Sequence, residues 1–455
     1  MRIIGANKSF DVTANLVGSK SESNRVLMIG YYGGFTPRVT NLSTSDDTRL
    51  LNEIIQSLQL KTRFIASQGF IPSSHDDALT IDCHNAGTVL RFLATALAFR
   101  DGEWILTGSD RMLQRPVGDL VDALRKMGAK IEFIGHDGFP PLKIHGKNLV
   151  ETHGRASLPI HVDITRSSQF ASSLLLAMPV VVTVSGPSHH RKETDNGPSL
   201  HLDGDLSSLP YIDMTIDIMC RFSAHVKRDD REIFVQHFDY QDVEYTIESD
   251  WTSASYWFEA VALSENGRAR LRNLHLDSKQ GDAIVAKWFE NFGVKSVQDG
   301  NDVVITHVGT DRVCPPDRVC TLDFIDNPDL FPTIAATCAG LGVEGRFTGL
   351  RNLVHKESDR VAAMMTELSK IGVTFERKSD NGLIINPNNC EPYQVFDSHN
   401  DHRIAMALAP LAMKIGAIEI NNADVVSKSY PTFWSEFANV ETFPETSLLG
   451  RLFPS

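Results

Sequence analysis

The sequence predicts an α/β fold in two domains, each built from repeats of helices and short strands. Six times along the 455 residues, a short polar segment runs directly into an apolar stretch of helix length. A second pattern, a helix end followed by Gly and a strand, recurs at residues 124–131, 289–297 and 368–375. Gly is common just past a helix C-terminus. Because a chain of this length exceeds one ordinary hydrophobic core, two domains of three repeats each are expected.

The polar openings carry residues that cap helices and bind anions. They begin at Ser19, Asn85, Ser167, Asp250, Asn327 and Asn400, at spacings of 66 to 83 residues. Side chains of these types accept hydrogen bonds from the first-turn N–H groups of a helix. A helix N-terminus is also partly positive, which favours phosphate or carboxylate. The openings are therefore candidate binding sites for anions. The alternative is a non-repetitive α/β protein in which the similarities are accidental.

Composition limits the classes of function. A net charge of −13 argues against a nucleic-acid-binding surface, although a local basic cleft can still attract a small anion. No stretch approaches the roughly 20 apolar residues of a membrane span. The first five residues lack the apolar core of a signal peptide, and the six cysteines include no CxxC pair. We expect a cytoplasmic protein, with residues 188–199 forming a surface loop.

A series of polar motifs runs in order along the chain. Gly18-Ser19-Lys20-Ser21 opens it, without the Gly spacing of a Walker-type loop. The motifs that follow are Asn85-Ala86-Gly87-Thr88 with Arg91, Gln114-Arg115-Pro116, Ser167-Ser168-Gln169, Gly204-Asp205-Leu206 with Ser208 and Tyr211, Asp250 with Ser253, Asn327-Pro328-Asp329, His355-Lys356-Glu357-Ser358-Asp359-Arg360, Asn400-Asp401-His402-Arg403 and Ser427-Lys428-Ser429-Tyr430. Taken together and in this order, they resemble the motifs of the 5-enolpyruvylshikimate-3-phosphate synthase family.

The resemblance implies a specific architecture. Members of that family are two-domain inside-out α/β barrels with three βαβαββ units in each domain. By this resemblance the first domain is discontinuous and comprises residues 1–19 and 249–455, while residues 20–248 form the second domain. The active site is expected in the interdomain cleft. The protein is expected to be a monomer that binds neither nucleic acid nor membrane.

The resemblance also implies a reaction. The family transfers the enolpyruvyl group of phosphoenolpyruvate to the 5-hydroxyl of shikimate 3-phosphate and releases phosphate, within aromatic amino acid biosynthesis. The chemistry is an addition followed by an elimination, through a tetrahedral intermediate. Acids, bases and charge stabilisation suffice for it, so no metal or organic cofactor is expected.

The candidate site residues are carried over from the matching motifs. Those expected to face phosphoenolpyruvate are Lys20, Gly87, Arg115, Arg360, Arg403 and Lys428. Those expected to hold shikimate 3-phosphate are Ser21, Arg25, Ser167, Ser168, Gln169, Ser208, Tyr211, Asp329, Asn352 and Lys356. The catalytic candidates are Lys20, Asp329, Glu357 and His402. The sequence assigns no order to the proton transfers, because burial raises the pKa of a carboxyl and neighbouring cations lower it.

Two departures and two alternatives accompany this interpretation. Val17 and Phe92 stand where many family members carry Pro. Phe92 lies one helical turn after Thr88, so we expect retained activity but an altered response to glyphosate, which competes for the phosphoenolpyruvate site in the family. One alternative is the sister enzyme that uses UDP-N-acetylglucosamine, which typically has a reactive Cys ahead of its Arg-Pro motif. Residues 108–114 contain no Cys. The other is a catalytically silent binding protein of the same fold.

Overall fold

The computed structural model describes residues 2–68, 78–147, 159–181, 198–236, 239–309, 319–379, 381–387 and 394–440, with residues 61–68 described by their backbone alone. Of the surface loop expected at residues 188–199, only the last two residues fall within these ranges. In the described part, no helix is both long and apolar enough to cross a membrane.

The chain divides into two compact units. The first unit comprises Met1–Ser19, Thr44–Asp46 and Glu248–Ser455, and the second comprises Lys20–Ser43 and Asp47–Ile247. Where the chain leaves and re-enters the first unit, the two passages are paired. Gly18 and Ser249 form an antiparallel bridge, and the Ser19 N–H donates to the Glu248 carbonyl at 2.8 Å.

The α-helices of the described residues are numbered in chain order. They are α1 Lys20–Gly33, α2 Asp46–Gln68, α3 Gly87–Ala98, α4 Gly118–Lys126, α5 Gln169–Val181, α6 Leu209–Arg221, α7 Trp251–Leu263, α8 Val285–Trp288, α9 Phe331–Leu341, α10 Arg360–Ser369, α11 His402–Leu408, α12 Ala412–Ile415 and α13 Phe433–Phe437.

The strands of the described residues are numbered in the same way. They are β1 Arg2–Ile4, β2 Ser9–Ala14, β3 Arg38–Thr40, β4 Leu79–Asp82, β5 Gly102–Thr107, β6 Lys130–Phe133, β7 Leu142–Gly146, β8 Ile160–Asp163, β9 Ser199–Asp203, β10 Val226–Asp229, β11 Glu232–Val235, β12 Glu244–Thr246, β13 Asn266–Leu271, β14 Val294–Asp299, β15 Asp302–His307, β16 Val319–Asp323, β17 Glu344–Thr348, β18 Thr374–Ser379, β19 Gly382–Asn386, β20 Val395–Asp397 and β21 Ile418–Asn421.

Four sheets repeat one strand order. They are β2-β13-β15-β14 and β16-β17-β19-β18 in the first unit, and β4-β5-β7-β6 and β8-β9-β11-β10 in the second. In each, the first two strands along the chain are parallel and the last two are antiparallel. The described residues also form smaller sheets, β1-β21-β20 and β12-β3. This order is the one that a βαβαββ repeat produces, so the predicted fold class is confirmed.

All six predicted openings begin helical segments. Five lead directly into α1, α3, α5, α7 and α11, and the opening at Asn327 leads through a 3₁₀ turn into α9. Asp250 caps α7 by accepting from the Ser253 N–H at 2.7 Å, and Asp401 caps α11 by accepting from the Arg403 N–H at 3.0 Å. The side-chain cap predicted at Asn85 is wrong, because α3 begins two residues later with Ala86 as its cap residue.

The central helices lie inside each unit. Every residue of α7 is buried, and so is every residue of α11. The strands alternate instead: in β13 every second side chain is buried, and in β15 Val303 and Ile305 are buried while the residues between and around them are partly exposed. A helix that is apolar on all sides belongs in an interior. The helices of each unit thus form its core, and the strands cover that core with one face.

Hydroxyl pairs join neighbouring core helices in both units. Thr95 of α3 is 2.6 Å from Ser173 of α5 in the second unit, and Ser255 of α7 is 3.0 Å from Thr333 of α9 in the first. Both pairs span 78 positions. Each pair gives two buried hydroxyls a partner on the neighbouring helix. The repeat therefore extends from the strand order to single side-chain contacts.

Glu259 is a buried acid in the middle of α7. Its side chain has no exposed surface, and neither carboxyl oxygen has a hydrogen-bond partner among the described residues. Burial raises its pKa well above the usual value of a glutamate. The folded chain therefore holds this proton to a higher pH than the unfolded chain, which releases it above about pH 4.3.

We predict that Glu259→Gln stabilises the protein increasingly as pH rises. Because the raised pKa belongs to the folded state, the wild-type chain has its full stability below the unfolded pKa and loses it towards the folded pKa. The slope is at most about 1.4 kcal/mol per pH unit. Urea-unfolding midpoints between pH 5 and 8 measure it, with Glu265→Gln, an exposed site just past α7, as the control. Parallel curves for wild type and Glu259→Gln would contradict the prediction.

Candidate active site

One buried arginine gathers three chain segments in the first unit. Arg360, the first residue of α10, is only 1% exposed. Its Nε donates to Asp401 Oδ2 at 2.8 Å, its Nη1 to Asp329 Oδ1 at 2.7 Å and its Nη2 to Glu357 Oε2 at 2.9 Å. These carboxylates raise the pKa of Arg360 against the effect of burial. The planar guanidinium thus fixes both predicted proton carriers, Asp329 and Glu357, in one place.

Three more cations surround the same carboxylates. Lys356 Nζ is 3.3 Å from Asp329 Oδ1, and Arg403 Nη2 donates to Asp329 Oδ2 at 2.7 Å. Lys428 Nζ is 3.3 Å from Glu357 Oε1. The structure therefore brings together six of the sequence-predicted residues of this unit, which with Asp401 form what we call the Arg360 network: Asp329, Lys356, Glu357, Arg360, Asp401, Arg403 and Lys428.

The charge state of Asp329 follows from its neighbours. Burial by itself would raise the pKa of this carboxyl, but Arg403, Lys356 and Arg360 together hold it well below its usual range. Burial also lowers the pKa of Lys356. Asp329 is therefore a carboxylate at neutral pH, able to accept a proton or to stabilise positive charge. The cations therefore outweigh burial in setting the pKa of Asp329, a balance that the sequence alone does not give.

Asp282 is an acid near the network that the motifs did not indicate. It is 3% exposed in a 3₁₀ turn at 281–284, and it accepts hydrogen bonds from Thr252 Oγ1 and from Asn327 Nδ2. Burial, followed by the charge of Asp329, raises its pKa to about 6. Its neighbours along the chain form no recognisable motif, so only the fold brings it to the Asn327 turn.

Two predicted residues of this unit lie beside the network. His402, the first residue of α11, is completely buried, and its Nδ1 lies 3.6 Å from Asp401 Oδ1. Complete burial favours a positioning role for His402 over direct contact with a substrate. Asn352 is half-buried in the 3₁₀ turn at 351–355, just ahead of Lys356.

A second buried arginine organises the second unit. Arg25 of α1 is 2% exposed, and its Nε donates to Thr215 Oγ1 at 2.7 Å. Its Nη2 donates to Ser172 Oγ at 3.1 Å and to the Tyr211 carbonyl at 3.2 Å, and its Nη1 donates to the Ser21 carbonyl at 2.8 Å. Burial lowers the pKa of Arg25 to about 10. One guanidinium therefore joins α1, α5 and α6, bringing together Ser21, Arg25 and Tyr211.

The start of α5 is tied to α3 by a polar relay. Arg91 Nη1 donates to Gln169 Oε1 at 2.6 Å, and Gln169 Nε2 donates to Thr88 Oγ1 at 3.0 Å. Ser167 Oγ accepts from the Gln169 N–H at 3.3 Å, and Ser168 next to it is buried. Arg91, whose role the sequence did not assign, therefore orients the Ser-Ser-Gln segment from the neighbouring helix.

Gly87 is required by the packing of Arg115. A Cβ atom added at Gly87 would lie 2.7 Å from Arg115 Nη2, so any side chain would displace the guanidinium. Arg115 is 5% exposed, and its Nη1 donates to the Asn85 carbonyl at 3.4 Å. The bare helix start and the guanidinium thus lie in direct contact, as phosphate binding by both would need.

Lys20 and Ser208 each stand at a helix start. Lys20 begins α1, and its Nζ is 3.2 Å from Asp47 Oδ2, with both side chains largely buried. Ser208 precedes α6 in a left-handed conformation, with φ of 55°. Asp47 belongs to none of the predicted motifs, and it holds the Lys20 ammonium in place.

Phe92, one of the two residues that depart from the family's pattern, packs against Arg25. Its ring is 1% exposed inside α3, and the Arg25 guanidinium carbon lies 5.8 Å from the ring centroid. A cation above an aromatic face at this distance is attracted to it. Phe92 therefore acts on the Arg25 cluster as well as lying one turn after Thr88.

We predict that Arg360→Ala destabilises the protein by about 3–5 kcal/mol, because it leaves buried carboxylates without their shared partner. Chemical denaturation measures the loss. The matched control is Arg268→Ala, since the Arg268–Asp11 pair is exposed at both side chains and should cost about 1 kcal/mol or less. A loss for Arg360→Ala no larger than that for Arg268→Ala would contradict the prediction.

Comparisons with known proteins show the family to which the chain belongs. A model of the family described as EPSP synthase (3-phosphoshikimate 1-carboxyvinyltransferase) matches residues 6–437. The chain is 36% identical over 437 residues to a 3-phosphoshikimate 1-carboxyvinyltransferase of Bacteroides fragilis, covering 95% of this chain and 96% of the relative. It is 33% identical over 446 residues to the Vibrio vulnificus protein of that name, covering 95% and 97%.

Solved structures show the same fold. An EPSP synthase from Acinetobacter baumannii superposes with a TM-score of 0.65 at 22% identity, over 96% of this chain and 97% of that one. The enolpyruvyl transferase NikO from Streptomyces tendae superposes with a TM-score of 0.66 at 15% identity, over 97% of each chain. The family match over nearly the whole sequence, together with these relatives, shows that the chain belongs to the EPSP synthase family.

Proposed function

We propose that this chain catalyses the reaction of its family, transferring the enolpyruvyl group of phosphoenolpyruvate to the 5-hydroxyl of shikimate 3-phosphate with release of phosphate. Membership of the EPSP synthase family supports the reaction. The observation that carries the assignment of residues is the Arg360 network, in which two carboxylates suited to proton transfer are held by four cations.

The reaction needs a base, an acid and stabilisation of charge. The 5-hydroxyl loses a proton as its oxygen bonds to the central carbon of phosphoenolpyruvate, while the methylene carbon gains a proton. The resulting tetrahedral intermediate then loses phosphate and one methyl proton, which restores the double bond. Positioned acids and bases contribute about 10²- to 10⁴-fold to such steps.

We assign the base to Asp329. Its low pKa keeps it ionised, and its two oxygens already accept hydrogen bonds from Arg360 and Arg403. A carboxylate in this state accepts the hydroxyl proton as the new C–O bond forms. Lys356, 3.3 Å from the same carboxylate, can then balance the charge on the attacking oxygen.

We assign the proton on carbon to the pair of Glu357 and Lys428. Their closest atoms are 3.3 Å apart, so a proton can pass between ammonium and carboxylate. Arg360 holds the other oxygen of Glu357 at 2.9 Å. This arrangement gives Glu357 a fixed direction, which proton delivery to one carbon atom requires.

The second unit supplies the groups proposed to bind the anions. Arg25, Ser21 and Tyr211, with Ser167, Ser168, Gln169 and Ser208, are assigned to shikimate 3-phosphate. Lys20, Gly87 and Arg115 are assigned to phosphoenolpyruvate, whose phosphate suits a helix start beside a guanidinium. Arg360, Arg403 and Lys428 of the first unit are assigned to the same substrate.

Two observations argue against the two alternative functions. Residues 108–114, ahead of Arg115, contain no thiol that could serve the UDP-N-acetylglucosamine reaction. A silent binding protein would not need both Asp329 and Glu357 held among cations.

We further propose a monomer acting in the cytoplasm, consistent with free cysteines at positions 83, 220, 320 and 338 in the described part of the chain.

We predict phosphate release from phosphoenolpyruvate with shikimate 3-phosphate as acceptor and none with UDP-N-acetylglucosamine. Asp329→Asn and Glu357→Gln should each lower kcat by about 10²- to 10⁴-fold, because each removes one proton carrier but keeps its shape. Asp323→Asn is the matched control, since Asp323 is exposed at the end of β16, where its Oδ1 accepts from the Ile325 N–H at 3.0 Å.

The outcomes separate the alternatives. Release only with the sugar nucleotide would replace the proposed acceptor. Binding of shikimate 3-phosphate by calorimetry without turnover would favour the silent protein. Unchanged kcat in both variants would reject the assigned proton carriers while leaving the reaction itself in place.

We predict that Phe92→Leu keeps the enzyme active but changes its response to glyphosate. Loss of the aromatic face under Arg25 should also raise the KM for shikimate 3-phosphate by about two- to fivefold. Steady-state kinetics with glyphosate as inhibitor measure both effects, with Phe99→Leu, one residue past α3, as the control. An unchanged inhibition constant together with an unchanged KM would contradict the prediction.

A further inference from the structure

Two histidines lie opposite each other on the outer face of a sheet in the second unit. Strands β8 and β9 are parallel, and their register places His161 directly against His201. The two rings are 4.9 Å apart between centroids. Asp203, two residues after His201, points to the same face, because strand side chains alternate. Val162 and Leu202 between them point inward and are buried.

The distances among these side chains suit a metal ion. Asp203 Oδ1 is 3.2 Å from His161 Nδ1 and 3.7 Å from His201 Nε2. One ligand atom from each residue lies within 4.8 Å of the others. Zinc binds its ligands at about 2.0–2.2 Å in a tetrahedron, which separates neighbouring ligand atoms by roughly 3.3–3.6 Å. Two of the three separations are thus already close to that range.

A fourth side chain is placed to orient one of the histidines. Glu232 of β11 pairs with His201 across the antiparallel register, and its Oε2 is 3.3 Å from His201 Nδ1. Its Oε1 accepts from Ser199 Oγ at 2.6 Å. Metal-binding histidines usually donate their second ring nitrogen to such a carboxylate, which fixes the tautomer and the ring direction. His201 Nε2 is then the nitrogen directed towards Asp203.

A comparable surface histidine, His145, differs from this cluster in its partners. His145 of β7 has carboxylates at both ring nitrogens, Glu103 at 2.8 Å from Nδ1 and Glu132 at 3.0 Å from Nε2. Its register partners in the sheet are Glu103 and Lys130, and each of its ring nitrogens already faces a carboxylate. The cluster at His161 instead combines two imidazoles and one carboxylate, with side chains 30–44% exposed, so an ion and a water molecule can enter.

We propose that His161, His201 and Asp203 bind one divalent transition-metal ion, zinc by the chemistry of the ligands, with Glu232 orienting His201. Imidazole nitrogen and carboxylate oxygen are zinc ligands, and three protein ligands leave a fourth position for water. The ion has no part in the enolpyruvyl transfer. It fastens β8 to β9, the strands that lead into the Ser167 segment and into the Ser208 turn.

The test uses the full chain without an affinity tag, stripped with a chelator and titrated with Zn²⁺ against a chromophoric indicator. The visible absorption of bound Co²⁺ reports the coordination geometry of the site. We expect one equivalent of tight binding, weakened at least about tenfold in His161→Gln, His201→Gln and Asp203→Asn, and by roughly tenfold or more in Glu232→Gln. The melting temperature of the wild type should rise with added Zn²⁺, and that of His161→Gln should not.

His145→Gln is the matched control and should bind zinc as the wild type does. Circular dichroism establishes that each variant is folded before titration. Wild-type affinity in both His161→Gln and His201→Gln would overturn the proposal by placing any zinc elsewhere on the chain. Binding by the wild type only at millimolar Zn²⁺ would overturn it as well. The readouts are independent of catalysis, so they do not depend on the proposed reaction.

Discussion

Burying the Arg360 guanidinium among carboxylates is the constraint on which the rest of the first unit depends. Charges removed from water are costly unless each finds partners with good geometry. Arg360 meets this condition by contacting Asp329, Glu357 and Asp401 at once. Those contacts require the starts of α10 and α11 and the turn before α9 to converge. Lys356, Arg403 and Lys428 bring the network to four cations against three carboxylates, and this excess of positive charge suits anionic substrates.

The second unit meets the same constraint with neutral partners. Arg25 is about as deeply buried as Arg360, yet its guanidinium donates hydrogen bonds to hydroxyls and carbonyls in the described part of the chain. Because none of these hydrogen bonds goes to a carboxylate, an incoming anion can still pair with the guanidinium. Burial lowers the pKa of Arg25 to about 10, while Tyr211 and Glu22 act in the opposite direction. The two units thus use one kind of side chain differently. In one the guanidinium orders the carboxylates that we propose as proton carriers, and in the other it is proposed to bind a substrate anion.

The sequence was sufficient for the fold class, because helix and strand patterns are local, whereas the membership of the site stays a prediction. Polar openings before apolar stretches marked six helical segments, and the motifs predicted Asp329, Glu357 and Arg360 as site residues, which the structure places in contact. The sequence did not reveal which side chains contact those residues. Asp282 and Asp47 lie in segments without a motif, and His161 meets His201 only through strand register. The protonation state of Asp329 could be judged only from the distances to its neighbours, because burial raises its pKa and the cations lower it.

The parallel pairing of β2 with β13 has a consequence for how the protein is made. Ser9 and Asn266, which pair in this sheet, are 257 positions apart. A ribosome adds about 5–20 residues per second, so β2 waits roughly 10–50 s for its neighbour. The second unit is nearly continuous in the chain and is complete by Ile247. It can therefore fold during synthesis while β2 stays unpaired, and an early strand with an open edge is what nascent-chain chaperones protect from aggregation.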